Sequence, residues 1–164
     1  MSESPTPPPP SPRGASKPPG YDTGEVLFDL PSPYLPHPAF GLLHLPRFLA
    51  KIRHHLAGTL PKSYQRNFTK GFDGFLCLHL GVKPEDVIAA VRSARDEIDL
   101  TERLRALFPA DVRPAKWNRQ VVQMGQSEMG RESLEATKIK MGLLDRPDLR
   151  SFADMIDFDE ERLP

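Results

Sequence analysis

Residues 43–60, LHLPRFLAKIRHHLAGTL, decide the reading of the fold. Winding this stretch at about 100° per residue puts Leu45, Phe48, Leu49, Ile52 and Leu56 on one apolar face. Pro46 suits a first helical turn and Gly58 suits a helix stop, so a helix is predicted over 46–57. Arg47, Lys51, His54 and His55 occupy a separate arc of about 100°, beside the apolar edge at Phe48. A basic stripe thus flanks the face expected to be buried.

The same period continues downstream. GFDGFLCLHL predicts a helix over 71–80, closed by Gly81. The next begins at Pro84, with Glu85 and Asp86 placed to favour its dipole and Val87, Ile88 and Val91 turned inward. Further helices are expected over 100–108 (Leu100, Leu104, Leu107, Phe108), 114–124 (Trp117, Val121, Met124), 131–142 and 148–156. Residues 59–70 lack a clean period and read as a connection. The expectation is an all-α, single compact domain of about five to seven helices over 43–156.

The N-terminal side reads differently. Twelve of the 19 prolines fall in residues 1–40. Proline fixes φ and has no amide donor, so 1–20 are expected to form a disordered proline-rich tail. Residues 21–42 add Tyr21, Val26, Leu27, Phe28, Leu30, Tyr34, Leu35 and Phe40, the pattern of an extended arm laid on the domain. The end, DFDEERLP at 157–164, reads as a loose acidic tail. Hydrophobic residues make up 38% of the chain, below the usual value of about 45–50%. The deficit sits mainly in the tails, which leaves the middle able to build a core.

The formal charge is zero but unevenly spread. Residues 41–80 carry six basic side chains against Asp73 alone, while 81–164 carry 14 basic and 17 acidic ones. A local positive excess attracts anions, or it pairs with the acidic C-terminal half. The single cysteine, Cys77, permits no internal disulfide and fits a reducing compartment. No signal peptide is visible and no apolar run reaches the ~20 residues of a membrane span, so a cytoplasmic protein is expected, with no membrane partner.

No phosphate loop, GxGxxG, HExxH, GxSxG or paired CxxC is present, and no cofactor is expected. His44, His54, His55 and His79 lie near Cys77 and Asp73, a possible metal set by residue type. Adjacent His54 and His55 diverge around a helix, however, and no metal site is assigned. Cys77, between Leu76 and Leu78, reads as a small buried hydrophobe. LHLGVKPEDVIAAV has a helix–turn–helix outline, but Glu85 and Asp86 would repel phosphates where the second helix should approach the groove, so DNA is not an expected partner.

The most specific feature is the Arg47/Lys51 stripe. Arg offers paired donors to carboxylate or phosphate, and Lys adds a point charge. Tyr64 is placed to line the same cleft, and Asp73 is available as an ion-pair partner for either cation. The ligand-binding set is therefore Arg47, Lys51, Tyr64 and Asp73. The expected function is to bind a small anionic molecule, with turnover as its extension. The alternative is a non-catalytic protein-interaction module that recruits a protein partner through the proline-rich tail, with the stripe paired internally. A metal-dependent enzyme comes third.

HLPRFLAKIRHHLAGTL, followed by Tyr64, DGFLCLHLGV and Trp117-Asn118, resembles the bacterial family known as domain of unknown function 5069. Its members show LPR, an Asp-Lys pair, GTL, a tyrosine, an aspartate ahead of LGI, and a tryptophan–asparagine pair. The likeness covers about 25–120, and RPDLRSFADMIDFDEERLP resembles the end of longer members. Ala50 departs from the pattern, where an aspartate usually precedes the lysine. The resemblance implies a compact, largely helical bacterial protein and no particular activity.

Overall fold

The computed structural model of the chain describes residues 26–163. Among them are eight helices and no strand. They are α1 (Leu45–Ala57), α2 (Lys62–Gln65), α3 (Gly71–Leu80), α4 (Pro84–Ser93), α5 (Glu97–Leu107), α6 (Pro114–Gln123), α7 (Glu128–Met141) and α8 (Phe152–Asp159). The eighth beyond the expected five to seven is α2, one turn within the stretch read as a connection. The proline-rich tail expected at 1–20 lies outside the described residues, as do the first positions of the arm. No helix of the described residues is long and apolar enough to cross a membrane.

Local signals set most boundaries. At the end of α1, Gly58 adopts φ 73° and the Gly58 and Thr59 amides donate to the His55 and His54 carbonyls, which satisfies the last turn. α5 starts three residues earlier than the apolar period suggests, because the Asp96 carboxylate accepts the Asp99 amide. Ser127 likewise caps α7. α8 starts later than expected, at its Ser151 cap. The preceding 143–150 forms turns tied by Lys138, whose ammonium donates to the Arg146 carbonyl at 2.6 Å.

The main core gathers Leu45, Phe48, Leu49 and Ile52 of α1 with Leu76 and Leu80 of α3, Val87 of α4, Leu100 and Leu104 of α5, and Trp117 and Val121 of α6. Leu56, expected on the same face, is instead 37% exposed, and its neighbours His55 and Ala57 are exposed too, so the apolar face of α1 is not covered along its last turn. A smaller core joins Leu134, Leu143, Leu149, Met155 and Phe158. Of the arm, Leu30, Phe40 and Leu42 are buried, whereas Phe28 and Leu35 are exposed and do not serve as anchors.

The C-terminal end is not a loose acidic tail. Phe158 is buried, and so are Asp157 and Glu160. Their charges have partners: Arg162 pairs with Asp157 at 3.1 Å and Glu160 at 2.8 Å and donates to the Leu30 carbonyl, and Arg47 reaches Glu160 from α1. Carboxylates that look solvated in the sequence are drawn inside by nearby Arg162 and, for Glu160, by Arg47 from 113 residues away.

The Trp117–Asn118 pair holds the entry to α1. The Trp117 indole N–H donates to the Leu43 carbonyl at 2.7 Å. The Asn118 amide accepts from the Leu43 N–H at 2.9 Å and donates to the Gly41 carbonyl at 2.8 Å. Together with the Pro36–Leu43 bridge, these contacts fix residues 41–43 and so determine where His44 stands.

Candidate functional site

α1 carries Arg47 and Lys51 one turn apart, and both side chains point inward. They are 4% and 5% exposed. Burying a charge requires a partner, and each has one. The Lys51 ammonium donates to Asp73 Oδ2 at 2.7 Å. The Arg47 guanidinium grips Glu160 with two parallel bonds, at 2.8 and 2.6 Å, and also donates to the Pro31 carbonyl at 3.2 Å.

Asp73 is the hub. Its Oδ1 lies 2.7 Å from His44 Nε2, while Oδ2 accepts Lys51 and the Thr69 amide, at 3.1 Å. Burial pushes the Asp73 carboxyl up, but the Lys51 charge and the donors around it outweigh that and hold it below the usual range. Burial pushes Lys51 down by more than Asp73 pulls it up. Burial also lowers His44 despite Asp73, so the imidazole is neutral at pH 7. With Asp73 ionised, Nε2 carries the proton and donates it, which leaves Nδ1 an acceptor with a lone pair. That buried Nδ1 has no hydrogen-bond partner among the described residues.

His44 also has φ 70°, the left-handed region, which a non-glycine residue enters at a cost of about 1–2 kcal/mol. Such backbone persists only where its surroundings over-determine it. Here the clamp on Leu43 and the bond to Asp73 do so.

A cleft of about 480 Å³ opens beside these groups, within the usual range for small-molecule sites of about 300–1,000 Å³. His44, Arg47, Lys51, Tyr64 and Glu160 form its polar wall, and Phe72, Phe75, Met124, Phe152 and Met155 supply apolar surface. Thr137 and Met141 of α7 close another side, and exposed Lys70 stands at the rim. The Tyr64 hydroxyl accepts the Leu27 amide at 2.9 Å and donates to Glu160 at 3.1 Å. Burial, with Glu160 nearby, pushes that phenol well up, so it stays protonated.

Three of the four residues expected to bind ligand thus line one cleft, and Asp73 stands behind Lys51. The stripe is compensated internally, by Asp73 and by the acidic C-terminus. Two groups escaped the sequence reading. His44 reads by type only as a metal donor, although its place directly before Leu45-Pro46-Arg47 is a signal. Glu160 reads as part of the acidic tail, and nothing local marks it.

The remaining histidines go elsewhere. His54 pairs with Thr59 and Asp29, His55 lies 4.7 Å from the Phe68 ring, and His79 bonds the Val112 carbonyl. Among the described residues no group of three or more His, Cys, Asp or Glu side chains is placed to hold a metal ion. Cys77 is buried, and burial pushes its thiol up to about 12, as suits a packing residue.

No curated protein and no solved structure matches the chain. A family model does, over residues 37–162, a span that includes the clamp, the His44–Asp73–Lys51 hub and Glu160. The chain belongs to the family described as domain of unknown function (DUF5069).

Proposed function

We propose that the protein binds a small anionic molecule with an apolar body in the cleft between α1, the 63–75 segment and α7–α8. The observation that carries this reading is donor capacity left over at a buried wall. An ammonium has three N–H bonds. Lys51 uses one of them, on Asp73, and has no other hydrogen-bond partner among the described residues. Glu160, by contrast, is fully engaged by Arg47, Arg162 and Tyr64. A ligand acceptor therefore meets Lys51 first, with Lys70 at the rim adding positive charge, and Phe72, Phe75 and Phe152 cover its apolar part. Arg47 holds the C-terminal wall of the cleft through Glu160 instead of reaching the ligand.

A thermal-shift screen of small carboxylates and phosphates with and without apolar substituents tests this, run in parallel on Met141→Trp, which fills the cleft from α7. The expected result is stabilisation of the wild type by a subset of compounds and its loss in the variant, at unchanged helicity. No shift with any compound, or equal shifts in both proteins, overturns the reading.

A further inference from the structure

We propose that Lys51 is a nucleophilic amine that forms a reversible imine with a small carbonyl compound seated in the cleft. The inference rests on the cleft being a binding site and goes further, by assigning it a chemistry.

Lys51 differs from the other buried lysine, Lys138. Lys138 donates to two backbone carbonyls, at 2.6 and 3.4 Å, and lines no part of the cleft. Lys51 lines a cavity, keeps two N–H bonds unused and is withdrawn from water by apolar neighbours. An amine so placed is partly desolvated, the setting in which lysines act as nucleophiles. Its counter-charge is also divided, because Asp73 serves His44, Lys51 and the Thr69 amide together.

The chemistry balances within the site. The ammonium first gives up one proton to Asp73 Oδ2, which it already contacts at 2.7 Å. The Nζ lone pair then bonds to the carbonyl carbon and the π pair moves to oxygen. That oxygen leaves as water, carrying two hydrogens that began on Nζ, one passed on directly and one returned by Asp73. The product is a protonated imine, so a unit positive charge remains opposite Asp73 and no buried carboxylate is left uncompensated. Addition of water reverses each step. His44 is a positioning residue here, held by Asp73 and by the Trp117–Asn118 clamp.

The test uses the full chain with glyoxylate as probe and cyanoborohydride to trap the imine at neutral pH, followed by peptide mapping. Carboxymethylation of Lys51 is expected ahead of that of Lys138 and of exposed Lys62 and Lys83, with the preference lost in urea. Labelling of Lys51 no faster than Lys138, or a preference that survives unfolding, overturns the proposal. Ligand-induced shifts that vanish in Met141→Trp while Lys51 stays unlabelled defeat the imine and leave the binding reading standing. Absence of both shift and label defeats both.

Discussion

Replacing Asp73 by asparagine isolates the one charge on which the buried hub depends. The substitution keeps shape and nearly all hydrogen bonds. The amide oxygen can still face Lys51 and the Thr69 amide, where Oδ2 stands now. The amide N–H₂ then faces His44 Nε2, and the imidazole can accept it by moving its own proton to Nδ1, which has no competing partner. What is lost is compensation of the Lys51 ammonium, 5% exposed. Removing one partner of a buried ion pair costs about 3–5 kcal/mol, a large share of a total of about 5–15 kcal/mol. At about 2–4 °C per kcal/mol for a chain of this size, Tm should fall by roughly 6–20 °C.

The pH dependence separates charge from packing. Burial already loosens the Lys51 proton in the wild type, and Asp73→Asn removes the carboxylate that opposes this, so the variant's stability rises more steeply with pH as the unfolded lysine approaches its value of about 10.4. The gap to wild type should therefore narrow between neutral pH and about 10. Urea unfolding monitored by circular dichroism across that range measures it, and adding Lys51→Met to the variant should recover part of the loss. A loss under about 1 kcal/mol, or one that does not change with pH, would refute the placement of Lys51 against Asp73.

Two further outcomes follow from the same contacts. Because His44 is held neutral below its ordinary value, the unfolded chain takes up a proton near pH 6.5 that the folded chain refuses. Wild-type stability should therefore drop as pH falls below about 6.5, and His44→Asn, which tolerates the left-handed backbone, should flatten that part of the curve in equilibrium unfolding. An identical slope in both proteins would exclude His44 as the source. Glu160→Gln breaks the bidentate contact with Arg47 and should cost about 3 kcal/mol or more in the same assay, with faster proteolysis of the C-terminal segment. A neutral effect would mean that the chain end is not docked.

Helix content was legible because it rests on local rules. The 3.6-residue period, prolines at helix starts and Gly58 and Gly81 at helix ends act over a few residues, and α1, α3, α4 and α6 lie within a residue or so of where those rules put them. Errors fell where a side-chain cap competed with the period, as at Asp96 and Ser151, and where one turn was too short to show a period, as in α2. Leu56 looked buried because periodicity identifies a face and not how far along the helix that face is covered.

The candidate site divides along the same line. Arg47 and Lys51 one turn apart, beside an apolar stripe, is a property of one helix, and the sequence by itself determined it. Whether those cations met water, a ligand or another part of the chain depended on contacts spanning 22 residues to Asp73 and 113 to Glu160. Periodicity carries no information over such separations, so only the tertiary structure decided that the acidic end folds inward and that His44 shares Asp73 with Lys51. The physical reason is desolvation. Once packing removes a charge from water, its partner is chosen by proximity in space, and packing of the eight helices among the described residues brings together side chains that no local rule connects.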